Sequence, residues 1–115
     1  MAHKLRKRIT AKPKARARVF AALGDRTRLV LVARLAESPG SSIAQLGEDV
    51  EMTRQAVTKH LGVLERAGIV RSRYAGRERL FELDPEPLED AREFLELISE
   101  QWDKALARLK SPAEK

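Results

Sequence analysis

Residues 42–83 read SIAQLGEDVEMTRQAVTKHLGVLERAGIVRSRYAGRERLFEL, and this stretch decides the fold. Ser42-Ile43-Ala44-Gln45 has the form of a capping box, in which the Ser side chain and Gln45 satisfy each other's free backbone N–H groups. It predicts a short helix ending near Val50. Glu51-Met52 reads as a tight turn, Thr53 as the cap of a longer helix to Ala67, and Gly68 as its stop. Two helices joined this briefly form a helix-turn-helix. Ile69–Tyr74 and Arg77–Leu83 then read as strands around Ala75-Gly76, a β-hairpin. A hairpin directly after the second helix is a wing.

Working outward, Pro13 suits the first turn of a helix to Leu23, with Gly24 as a left-handed stop. Asp25 caps a further helix through Ala36, with Leu29, Val32, Leu35 and Ala36 expected to face inward. Ser38-Pro39-Gly40 breaks the chain. Downstream, Pro85 and Pro87 open a last helix from about residue 86 to Lys110. The expected class is mostly α with a β-hairpin wing, a winged helix-turn-helix in the order α-α-α-α-β-β-α. Residues 1–12 are read as a flexible basic arm, 13–110 as a DNA-binding and dimerisation domain, and 111–115 as a tail.

A chain of 115 residues has room for one core of ordinary size. With 43% hydrophobic and 35% charged residues it should fold, and at 4% aromatics its packing must be aliphatic. The absence of cysteine removes disulfides, thiolate metal sites and thiol switches together. The apolar runs Val19–Leu23 and Leu29–Ala33 are too short to span a bilayer, so a cytoplasmic protein is expected. The basic start resembles a transit peptide in charge, but no secretory apolar stretch follows.

The net charge of +6 is unevenly spread. Residues 1–18 hold eight Lys/Arg and no acid, 19–83 ten against eight, and 84–115 five against nine. A basic end on a bipolar protein suits a polyanion partner, with the acidic end turned away.

On a helical wheel, Val57, Leu61 and Leu64 share one side of the second motif helix, which must pack on the core. Gln55, Thr58, Lys59, Gly62 and Arg66 fall opposite, and Arg54 lies in the first turn, the end a recognition helix points into the groove. Arg or Lys can pair with guanine, Gln with adenine, and a Thr methyl can touch thymine. Taken alone, such a face is an ordinary solvated surface; within a helix-turn-helix followed by a wing, it reads as a DNA-contacting one. Arg71, Arg73, Arg77 and Arg79 on the hairpin suit phosphate, although they could simply keep an edge hairpin soluble. Arg77, after the Gly76 turn, is expected near the wing tip.

In the last helix, Leu88, Ala91, Leu95, Ile98, Trp102, Ala105 and Leu109 recur at alternating steps of three and four, a heptad seam. Phe94, Leu97 and Leu106 widen it beyond what a small domain needs to cover, so a homodimer is expected rather than a purely internal core helix. The acids around it would repel DNA and place this helix on the far side. His60 stands at the border of the buried face, where packing or a phosphate hydrogen bond is expected. No nucleophile or paired acid lies at useful spacing, so no catalytic residue, enzyme activity or cofactor is assigned.

Ala22-Leu23-Gly24-Asp25-Arg26-Thr27-Arg28-Leu29, Thr53–Leu61, Val63–Val70 and Gly76–Phe81 together resemble the ArsR-type repressors over roughly residues 15–110. The resemblance implies a dimer through the first and last helices, binding to adjacent major grooves, and repression relieved by a signal. It thereby adds Phe20 to an interface with Leu88, Ala91, Leu95, Ile98, Trp102 and Leu109. By position, Thr53, Arg54, Gln55, Thr58, Lys59 and His60 match the family's recognition helix and Arg77 its wing. Metal-sensing members carry cysteine or His and Asp pairs in helices that here hold no Cys or His, so no metal site is carried over. Glu51 stands where members often have Gly, which predicts strain or a different turn. The rival reading is a winged helix that docks a protein or binds nucleic acid generally; its affinity for a protein would be nearly independent of salt.

Overall fold

Most elements form where the local signals place them. In the computed structural model, which describes residues 2–48 and 50–110, α1 spans Ala2–Thr10, α2 Pro13–Leu23 and α3 Arg26–Glu37. A two-residue strand β1, Ser41–Ser42, precedes α4, Ile43–Gly47, and α5, Arg54–Arg66. The wing is β2, Val70–Ala75, and β3, Glu78–Leu83, and α6 runs Pro85–Lys110. This is a mostly helical winged helix-turn-helix, as expected, with two elements more than the predicted order.

The caps act as read. Asp25 accepts the Arg28 backbone N–H at 3.1 Å, and Thr53 accepts that of Ala56 at 3.1 Å. At Ser42 the box is closed, with Gln45 N–H donating to Ser42 Oγ at 3.2 Å and Ser42 N–H to Gln45 Oε1 at 2.8 Å. Val57, Leu61 and Leu64 of α5 are buried at the predicted spacing and meet Leu31, Leu35, Leu46, Ile69 and Phe81 in one core. The sheet order is β1-β3-β2, antiparallel throughout, with Phe81 of the central strand paired to Ser41 and Ser72.

Several details differ. The residues read as an aperiodic arm are helical from Ala2 to Thr10, and α1 packs on α6. Half-buried Leu5 and Ile9, four apart, give it an inner face. A buried arginine closes its end, as Arg16 Nη1 donates to the carbonyls of Arg8 at 2.7 Å and Ile9 at 2.8 Å. Lys12 turns the chain in a left-handed conformation with φ 48°. On α3 the inner face is Leu31 and Leu35, not Leu29 and Ala36, which are exposed. Leu29-Val30-Leu31-Val32 is apolar all round, so the repeat leaves the rotation open and packing against β3 and α5 selects it.

Gly24 has φ −80° and is not left-handed; its N–H simply closes back on the Ala21 carbonyl at 3.1 Å. α4 stops at Gly47 rather than near Val50, so the motif's connector is longer than a tight turn. Glu51 is not among the residues with positive φ, so no left-handed strain accompanies the missing glycine. The hairpin turn is Gly76-Arg77, one residue later than predicted, since Ala75 pairs with Glu78. Gly76 takes φ 66° at the first turn position, which a side chain would disfavour. The tail at 111–115 lies outside the described residues.

Candidate nucleic-acid interface

Thr53 ends the connector and fixes the start of α5, so Arg54 and Gln55 project from the helix's first turn and both are exposed. Thr58 and Lys59 follow on the exposed side. The Thr58 hydroxyl donates to the Arg54 carbonyl at 2.7 Å, which commits its polar atom inside the helix and leaves the methyl outward. Neither the Arg54 nor the Lys59 side chain makes a hydrogen bond or ion pair among the described residues. Their charges are available to an external acceptor.

His60 is placed differently. It is half-buried at the junction of α3 and α5, with Nδ1 3.3 Å from Arg28 Nη1 and 3.9 Å from Asp25 Oδ2. The Arg28 backbone N–H at Asp25 outweighs partial desolvation and, with the nearby charges, holds that carboxyl below its ordinary 3.8. His60 thus belongs to a network that locks the start of α3 to the middle of α5.

Residues paired directly across strands share a face, so the wing sorts its four arginines. Arg71 and Arg73 lie on one face, opposite Glu82 and Leu80; Arg79 lies on the other with Tyr74, Ser72 and Phe81. Arg71 Nε is 3.2 Å from Glu82 Oε1, an exposed pair that water screens. Arg73 and Arg77 are exposed, Arg77 in the turn itself. Arg79 is already occupied: its Nη2 is 3.0 Å from both Glu65 oxygens, its Nε donates to Ser72 Oγ at 2.9 Å, and its guanidinium sits 5.0 Å from the Phe81 ring centre. Glu65 was not singled out from the sequence, because nothing within α5 signals a partner fourteen residues away. Tyr74, 73% exposed on the wing, likewise carries no local signal in the sequence.

The predicted seam on α6 is divided. Ala91 is buried and Leu88 packs on the core, while Phe94 turns to Phe20 with ring centres 5.7 Å apart. Leu95, Ile98, Trp102 and Leu109 remain exposed, Trp102 at 62%. Phe20, Leu23, Leu88 and Leu95 line an apolar groove of about 490 Å³ beside that stripe. Among the described residues no group of three or more His, Cys, Asp or Glu could hold a metal ion, and no helix is long and apolar enough to cross a membrane.

Residues 14–73 match the family model described as a helix-turn-helix domain. The chain is 39% identical over 89 residues to the HTH-type transcriptional regulator Rv2034 of Mycobacterium tuberculosis, covering 77% of this chain and 79% of the relative. Among solved structures, it is similar to an ArsR-like transcriptional regulator from Rhodococcus sp. RHA1. That likeness has TM-score 0.71 and 35% identity, over 84% of this chain and 91% of the other. It shares the fold of Mb0332 from Mycobacterium bovis, described as a homodimeric winged helix-turn-helix DNA-binding domain. There the TM-score is 0.64 at 24% identity, over 86% and 88% of the two chains.

Proposed function

The chain belongs to the ArsR-type helix-turn-helix transcriptional regulators, and from that premise we propose that it is a homodimeric repressor reading its operator through α5. The observation that carries this reading is the exposed face at the start of α5, where the side chains of Arg54, Gln55 and Lys59 are uncommitted among the described residues beside the exposed Thr58, on the same molecule as the exposed Arg77 at the wing tip. Arg54 and Gln55 carry the base reading, while Lys59, Arg73 and Arg77 supply phosphate contacts that set position. Arg79 and His60 serve this surface from behind, by fixing the wing and α3 against α5. Thr53 caps the helix, and Arg71 adds charge on the outer face of the wing.

Dimerisation is assigned to the uncovered stripe Leu95, Ile98, Trp102 and Leu109 with the groove at Phe20, Leu88 and Ala91. An apolar stripe of this length is costly to leave in water, and a second copy presents the same stripe to it. The homodimeric description of Mb0332 is the precedent within this fold. The protein acts in the cytoplasm, without catalysis, cofactor or metal control.

The test is operator binding as a function of salt. If a dimer neutralises about eight phosphates, log K falls against log salt with a slope of about −7. Affinity should be the same in chelator and in micromolar zinc. A flat salt response on the best selected operator defeats the reading and favours protein docking. A reporter gene that is silenced by the protein in cells, rather than activated, establishes repression.

A further inference from the structure

At the C-terminal end of α5 lies a groove of about 620 Å³ formed with α2 and α3. Its floor is apolar, made by Ala21, Ala22, Val63 and Ala67, and its rim carries Arg18, Arg28 and Arg66 with no acidic residue. We propose that this groove is an effector site for an organic carboxylate, whose anionic head meets the three guanidiniums while its apolar body lies on the alanines and Val63.

The three arginines are not equivalent. Arg28 is pinned: Nε donates to the Ala22 carbonyl at 2.6 Å and Nη1 is 3.3 Å from His60 Nδ1. Its Nη2 has no protein partner among the described residues and is not buried, so it remains free to donate from a fixed position. A donor already held in place loses little freedom on binding an anion. The side chains of Arg18 and Arg66 are exposed and make no hydrogen bond or ion pair among the described residues, so they are free to close from the two sides. Arg66 lies back over Gly62, where an added Cβ would stand 3.4 Å from its Nη1.

The volume falls in the range of small-molecule sites, which pair an apolar lining with a few convergent polar groups. The floor distinguishes this groove from a bare cationic patch, because inorganic phosphate has nothing to lay on Ala22 and Val63. The location gives the site a consequence, which rests on the proposed function. A carboxylate held between Arg18 on α2 and Arg66 on α5 ties the recognition helix to α2. Any difference in its affinity for free and DNA-bound protein must appear equally in operator affinity.

The test uses the whole protein without DNA, titrated with benzoate, octanoate and inorganic phosphate in turn, following the methyl resonances of Ala22 and Val63 by NMR. Benzoate or octanoate should saturate shifts at both methyls at millimolar concentration or below, and phosphate should bind about tenfold more weakly. Arg18→Ala with Arg66→Ala, two exposed changes that leave the core intact, should weaken acid binding by about tenfold or more. No saturation by either acid, undiminished binding in the double variant, or phosphate binding as tightly as the acids would each overturn the proposal. Arg18→Ala alone should leave ligand-free operator affinity within about threefold, and a larger loss would make Arg18 a DNA contact instead. Acid binding that succeeds in a protein with no operator defeats the proposed function and leaves the site standing.

Discussion

Arg79 of the wing and Glu65 of the recognition helix form a two-pronged ion pair, with Arg79 Nη2 3.0 Å from each carboxylate oxygen. The same guanidinium bonds Ser72 across the hairpin and covers Phe81, so one side chain joins both strands of the wing to α5. Four wing arginines that look alike in sequence therefore divide into one that positions and three that face outward.

That division predicts two distinct phenotypes. Arg79→Ala should lower stability by about 1 kcal/mol, since exposed pairs contribute little alone but this one adds hydrogen bonds and an aromatic contact. A double-mutant cycle with Glu65→Ala in urea should show the coupling. Arg77→Ala should leave stability unchanged and weaken every DNA sequence about equally. Equal unfolding curves for wild type and Arg79→Ala would refute the positioning role.

Base reading should be confined to the start of α5. Arg54→Ala or Gln55→Ala is expected to cost about 1–3 kcal/mol of operator affinity and relax preference at a few base pairs. Selection from random DNA with each variant checks this. His60→Ala, in contrast, should change thermal stability without changing the selected bases, because His60 sits in the α3–α5 junction. Altered base preference for His60→Ala alone would move the reading residues along the helix.

Acid should loosen α1 through Asp90. Arg16 Nε lies 2.9 Å from Asp90 Oδ2, and this hydrogen bond outweighs partial desolvation to hold the carboxyl below its ordinary 3.8. A depressed carboxylate contributes stability that is fully present above the unfolded value and is lost as pH falls through the lower folded one. The loss should therefore set in as pH approaches 3.8 and continue below it. Asp90→Asn should lose this acid-dependent contribution and cost about 1.5–3 kcal/mol at neutral pH, because Arg16 is left buried without its charged partner. Hydrogen exchange should show α1 opening first; protection of α1 unchanged in Asp90→Asn would contradict this account.

Trp102 separates an interface from a core. It is 62% exposed in the single chain, so Trp102→Ala removes little packing within it. At a dimer seam, the same change should cost about 3–5 kcal/mol and appear as dissociation to monomers with loss of operator binding. Analytical ultracentrifugation at low micromolar concentration reads the outcome. A wild-type monomer that still binds its operator tightly would defeat the dimer model.

The sequence by itself determined the helix-turn-helix and its wing, because their signals act over a few residues. The caps at Asp25, Ser42 and Thr53, the Val57-Leu61-Leu64 spacing, and the glycines at 68 and 76 each specify a local conformation that no distant neighbour has to supply. Tertiary structure decided the rest. The rotation of α3 came from partners on β3 and α5, since its apolar run offers no preferred face. The order of residues 2–10 depends on Arg16, whose own ion-pair partner is seventy-four residues on, and the role of Arg79 depends on a glutamate fourteen residues earlier. Long, flexible charged side chains find their partners by position in space, and chain-local periodicity carries no record of which ones will meet.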